Sequence, residues 1–153
     1  MIKKILIIFI IPFLLHGCGY SPLYSNNNDN DNKINIKVSE TKGDRDINNQ
    51  ILLNLKRYTN KEGKTFLLNI DTNYTILDIS KYLEGSVNSY ELISVTKFEV
   101  ESINLKKTIF IKEDIKIDNL SDNFEKRNYE KSIKKNFSNS ITNRLILQLN
   151  VLK

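Results

Sequence analysis

The chain has 153 residues, with 23 Lys and Arg against 18 Asp and Glu, one His, one Cys and no Trp. That length fits one domain, and the sole histidine, His16, and sole cysteine, Cys18, both fall at its start. If that segment is removed, the folded part holds neither thiol nor imidazole. This excludes Cys–His zinc sites, Cys–His nucleophiles, Ser–His–Asp triads and CxxC redox chemistry. Ile, Asn and Lys make up 62 residues and Ala is absent. AT-rich codons produce such a bias, so richness in Asn and Lys carries no functional signal by itself.

The first segment reads as an address. Lys3 and Lys4 precede the apolar run Ile5–Leu15, an n-region and h-region of secretory length. The run is too short for a bilayer, which needs about 20 apolar residues, and Pro12 interrupts it. Leu15-His16-Gly17-Cys18 resembles a bacterial lipobox, ending in the Cys that becomes the lipidated N-terminus; His16 departs from the usual small residue. The expectation is a signal peptide over 1–17 and lipidation at Cys18, with an ordinary signal peptide and a chance Cys as the alternative. Gly19, rather than Asp, favours the outer membrane by analogy with lipoprotein sorting. Loss of Lys3 and Lys4 lowers the net charge from +5 to +3. The mature chain is then only mildly basic, and export removes nucleic acid from its partners.

Ser25–Lys33 reads SNNNDNDNK, without an apolar residue. It closes the segment 18–33 as a flexible tether whose nine residues span roughly 15–18 Å. Ile34, Ile36 and Val38 then alternate with polar residues in a short strand. Gly43 ends it. Asp44 and Asp46 are candidate N-caps of a helix carrying Ile47, Ile51, Leu52, Leu55 and Tyr58, which Asn60 and Gly63 terminate. Phe66, Leu68, Ile70 and Tyr74 mark a long strand. After a turn at Glu84-Gly85-Ser86 comes Tyr90–Glu101, apolar on both faces: Leu92, Phe98 and Val100 on one, Ile93 and Val95 on the other. A turn near Ile103–Lys106 leads to a strand carrying Ile109, Ile111, Ile115 and Ile117. Tyr129, Ile133, Phe137, Ile141, Leu145 and Leu149 recur every four residues in a last helix, with Asp122 and Glu125 placed to cap an early start.

The order β-α-β-β-β-α predicts an α+β two-layer sandwich, a four-stranded, mainly antiparallel sheet with two helices on one face. Leu67, Ile93, Val95 and Phe110 then lie on the other face. They stand either as scattered surface apolar residues or as a contact surface for a partner.

Catalytic chemistry finds little purchase. The five glycines are not clustered into a phosphate loop. Glu113 and Asp114 are neighbours on a strand and point to opposite faces, wrong for a paired acid and base. Asp29 and Asp31 lack the Gly and closing Glu of a calcium loop. No enzyme activity, cofactor or metal is expected. The cations Lys81, Lys126, Arg127, Lys131, Lys134 and Lys135 are either simply solvated or, in an exported protein, a contact for anionic lipid or glycolipid.

Cys18-Gly19-Tyr20-Ser21-Pro22-Leu23-Tyr24 resembles the mature start of one branch of the LPS-assembly lipoprotein LptE family. The stretch Asp44–Leu52 resembles that family's first helix entry, and Gly85–Tyr90 its central hairpin. The resemblance implies an LptE-like domain over 34–153, lipid-anchored on the periplasmic side of the outer membrane. It implies a plug and assembly partner of an LptD-type outer-membrane β-barrel that also binds lipopolysaccharide. By position it places Lys81 close to the family's basic hairpin tip, where the matching spot itself is Leu83, and Lys126 and Arg127 near its basic residue ahead of the last helix. These three are the lipopolysaccharide-binding candidates. The rival is a lipid-anchored scaffold of another envelope system, or a small-ligand-binding lipoprotein. The latter expects a concave apolar pocket between helices and sheet; a plug expects a solid core and an outside contact surface.

Overall fold

Alternation of apolar and polar side chains places one apolar row on each strand, and the four rows meet in a single sheet. A computed structural model describes residues 34–81, 83–85 and 87–152. The leader, the lipidation candidate Cys18 and the tether lie outside the described residues, as does the side chain of Lys81. The elements are β1 (Ile34–Gly43), α1 (Arg45–Leu55) with a 3-10 turn Lys56–Tyr58, β2 (Lys64–Lys81), β3 (Val87–Ser102), β4 (Leu105–Asp118) and α2 (Asn123–Val151). The sheet order is β1-β2-β3-β4. β1 runs parallel to β2, joined through α1, and the remaining pairs are antiparallel. The expected architecture is therefore the observed one.

Each helix starts where its cap residue predicts. Asp44 accepts a 2.9 Å hydrogen bond from the Ile47 amide on Oδ1 and caps α1. Asp46 instead lies in the first turn, where its charge faces the helix dipole. Asp122 accepts from the amides of Phe124 and Glu125 at 2.7 and 2.8 Å, so α2 begins six residues before its apolar repeat. Both helices lie on one sheet face. Ile47, Ile51 and Leu55 of α1 and Ile133, Phe137, Ile141, Leu145 and Leu149 of α2 pack with Phe66, Leu68, Ile70, Leu92, Phe98, Val100, Ile109 and Ile111 into one core.

Three features depart from the sequence reading. β2, marked in sequence only by residues up to Tyr74, runs on to Lys81, pairing with β3 through Lys81–Val87 and bulging around Ile79. Tyr129, expected on the buried stripe, is 44% exposed. A strict four-residue repeat drifts about 40° per step around a helix, so the buried track in the first turns passes instead to the half-buried Lys126 and Glu130. The middle of the core-facing row is also polar. Thr72, Ser94 and Thr96 are fully buried. The Thr72 hydroxyl lies 2.8 Å from Asn48 Oδ1 and 3.0 Å from the Thr96 hydroxyl, and Asn48 donates to the Lys42 carbonyl at 2.7 Å. Small side chains here admit the sharp entry of α1, whose Asp44 amide donates to the Thr72 carbonyl at 2.9 Å.

Candidate functional site

Two of the three predicted cations, Lys81 and Lys126, belong to the far end of the sheet, where the β2–β3 hairpin extends beyond the core. Lys81 ends β2 and pairs with Val87. Tyr90 pairs with Asp78 on one side and Ile117 on the other. The ammonium of Lys126 lies 4.0 Å from the centroid of the Tyr90 ring, a cation–π contact that fixes it above this end of the sheet. Arg127 does not join it. Consecutive helical residues point about 100° apart, so Arg127 lines the groove between α1 and α2 with Asp46, Gln50, Lys131 and Lys135. The structure brings Lys126 toward the end of the sheet that carries Lys81 and turns Arg127 to another surface. Leu83, at the position matching the family's basic tip, is fully exposed in the hairpin turn.

Lys134 belongs to an ion cluster inside the helix layer. Its ammonium is 2.8 Å from Asp44 Oδ2, 3.6 Å from Asp46 and 3.7 Å from Glu130, with its side chain only 14% exposed. It also lies 4.4 Å from the centroid of the Tyr74 ring. Burial alone would lower the Lys134 pKa, but the Asp44 hydrogen bond and the surrounding carboxylates outweigh it and raise the value. Burial, and then the Glu130 carboxylate beside it, push the Tyr74 hydroxyl well above the usual tyrosine value. Asp44 thus caps α1 with one oxygen and ties α2 with the other. The cluster positions the helices and leaves Lys134 committed, so it adds no free cation to the groove.

The helix-free face carries the expected apolar residues in register. Val95 lies between Asn73 and Lys112, Ile93 between Thr75 and Asp114, and Phe110 opposite Lys97. Phe110, Val95 and Ile93 are diagonal or next-but-one neighbours on this face and make a continuous ribbon. Phe110 is 65% exposed. Leu77, 44% exposed, extends the ribbon toward the hairpin. Leu77 is not among the residues named from the sequence, although Thr75 and Leu77 carry the alternation past Tyr74. Leu67 stands apart, opposite Glu101. Ion pairs flank the ribbon, Lys97 with Glu99 at 3.1 Å and Lys112 with Asp114 at 3.2 Å. The Lys97 hydrogen bond, aided by Asn69, holds the Glu99 carboxyl below its ordinary value.

Two grooves open on the described surface. One of about 540 Å³ is lined by Ile34, Arg57, Tyr58, Lys61 and Ile146, and one of about 640 Å³ is the α1–α2 groove. No helix of the described residues is long and apolar enough to cross a membrane.

No family model matches the chain, and no curated protein matches it. Solved structures do. The crystal structure of rare lipoprotein B from Shewanella oneidensis is 18% identical with a TM-score of 0.55, over 78% of this chain and 100% of that one. The solution structure of the uncharacterized lipoprotein B from Nitrosomonas europaea is 12% identical with a TM-score of 0.55, over 80% of this chain and 88% of that one. At these identities the likeness is one of fold.

Proposed function

We propose that the chain is a lipid-anchored envelope protein of lipopolysaccharide assembly, a non-enzymatic plug and assembly partner of an LptD-type outer-membrane β-barrel. The observation that carries the reading is the division of the sheet. One face is sealed by two helices over a continuous core, and the other presents the ribbon Leu77–Ile93–Val95–Phe110 uncovered. A plug needs a solid body and an outside contact surface, whereas a small-ligand carrier needs an apolar cavity between its layers. The core residues on β2, β3 and both helices fill that interlayer space, which favours the plug. The fold likeness to two bacterial lipoproteins supports an envelope role, as does the lipobox-like Leu15–Cys18.

Lys81, Lys126 and Arg127 are the proposed contacts for lipopolysaccharide phosphates, through Coulomb attraction and charge-assisted hydrogen bonds. Lys126 is held over Tyr90 for this role, and Arg127 reaches the same ligand only from the adjoining groove. The experiment is co-purification of the detergent-solubilised, membrane-extracted protein with a large β-barrel, followed by lipopolysaccharide binding at low and high salt. A barrel in the eluate and salt-sensitive binding that falls in a Lys81→Glu, Lys126→Glu, Arg127→Glu variant are the expected results. Absence of any barrel overturns the plug. Unchanged binding by the triple variant overturns the site.

A further inference from the structure

We propose that the end of the domain at which β1 begins is a docking face for a bilayer carrying anionic headgroups. The proposal rests on the reading that Cys18 anchors the chain. Four segments distant in sequence meet at this end. Ile34 of β1 pairs with Lys64 of β2, α1 runs into the turn Lys56–Tyr58, and β3 turns into β4 through Ile103 and Asn104. The end of α2 closes the group, since Lys64 Nζ donates to the Leu152 carbonyl at 2.7 Å.

The charge of the described domain is concentrated here. Lys56, Arg57, Lys61, Lys64, Lys106 and Lys107 stand against Glu62 and Glu101, a net +4, whereas residues 34–152 together carry only +3. The rest of the domain is therefore net −1. Lys56, Lys61 and Lys107 make no ion pair among the described residues, while Lys106 is paired with Glu101. At this same end two apolar side chains are strongly exposed, Ile103 at 87% and Val151 at 84%. Exposed apolar tips at an end rich in Lys and Arg match the two layers of a bilayer surface, with acyl boundary under the tips and phosphates at the level of the ammonium groups.

Connectivity brings this end to the membrane. Fifteen residues separate Cys18 from Ile34, where the domain begins. The 18-residue β2 is roughly 60 Å long. With Cys18 as the anchor, the basic end is the one nearest the bilayer along the chain, and the β2–β3 hairpin is the far one. Near an anionic surface each cation strengthens association roughly fivefold.

The test uses the full, lipidated chain reconstituted in phosphatidylcholine vesicles with and without phosphatidylglycerol. An environment-sensitive fluorophore is attached at Ile103→Cys, and in a separate protein at Leu83→Cys on the far hairpin. The expected result is a blue-shifted, brighter signal at position 103 on phosphatidylglycerol vesicles, reversed by high salt, with position 83 unchanged. Replacing Lys56, Arg57, Lys61 and Lys107 by Glu should abolish the shift at 103 while flotation with the vesicles persists. The salt arm decides if that variant does not fold. A water-like signal at 103 on anionic vesicles overturns the proposal. So does an equal shift at 83, or a charge-reversed variant that folds and keeps the shift. Barrel co-purification lost in that variant, with 103 water-like on vesicles, assigns the end to a protein instead. Failure of the anchor reads differently: the parent then takes the label at Cys18 and does not float with phosphatidylcholine. The Ile103→Cys probe in a Cys18→Ser background, with added anionic vesicles, then decides the face by itself.

Discussion

Gly43 is the residue at which backbone and packing make the strictest joint demand. Its φ is +87°, and an added Cβ would lie 1.9 Å from the Thr72 carbonyl oxygen. That carbonyl already accepts the Asp44 amide, so it cannot yield without loosening the entry to α1. Gly43→Ala should destabilise the fold by roughly 2–4 kcal/mol, read as a lower denaturant midpoint. Phe137, 7% exposed in the core, should cost about 3–5 kcal/mol as Ala; unchanged melting of that variant would place α2 wrongly. Tyr74 and Lys134 give a pH signature. Both have pKa values raised in the folded state. Their contribution is whole below the ordinary values, about 10 for Tyr and 10.4 for Lys, and is lost as pH rises past them toward the folded ones. Melting temperature should thus be flat through neutral pH and fall above pH of about 10. Tyr74→Phe should shallow that fall, and an unchanged slope would remove Tyr74 from the account.

At the scale of the element, the two N-caps look alike in sequence and differ in consequence. Asp122 only caps: its oxygen satisfies two amides at an exposed helix start. Asp122→Ala should cost about 1 kcal/mol. Asp44 caps α1 and also holds Lys134 of α2, so Asp44→Ala should cost about 2–3 kcal/mol. Chemical denaturation of the two variants side by side checks the difference. Equal losses would mean the bridge to Lys134 contributes nothing. The strands were easier to read than their limits. Period-two alternation marks all four strands, but not where β2 ends, because the strand bulges around Ile79 before pairing on to Lys81. The helix pattern was legible wherever apolar residues carried it, and failed at Tyr129, where polar side chains take over the buried track.

Across the whole molecule, the two sheet faces make a further test. On the helix-free face Val95→Asp with Phe110→Asp removes the apolar ribbon without touching the core. Stability should change by no more than about 0.5 kcal/mol per site, while co-purification with the barrel is lost. A variant that folds and still brings the barrel down would move the contact to another surface. The same molecule is polar along its length: cations gather where β1 starts, and Lys81 with Lys126 mark the opposite end.

By itself the sequence determined the elements and their order, because apolar spacing is a local property that the chain repeats every two or four residues. It also located the helix starts to within two residues, since an Asp before an apolar periodic run has a specific amide to accept; the choice of Asp44 over Asp46 came from the structure. It named Ile93, Val95 and Phe110 as outward-facing, because side chains alternate along a strand whatever the strand pairs with. The tertiary structure alone decided which surfaces Lys126 and Arg127 reach, the end of the sheet and the α1–α2 groove, for that depends on how α2 is rotated against the sheet. It alone placed Thr72, Ser94 and Thr96 in the core, where Thr72 is admitted by Asn48 of α1 and by Thr96 of the next strand. And it alone gathered Lys56, Lys61, Lys64 and Lys107 at one end. Their separation in the chain hides them from any local pattern, and only the parallel pairing of β1 with β2 and the antiparallel return of β3 bring them together.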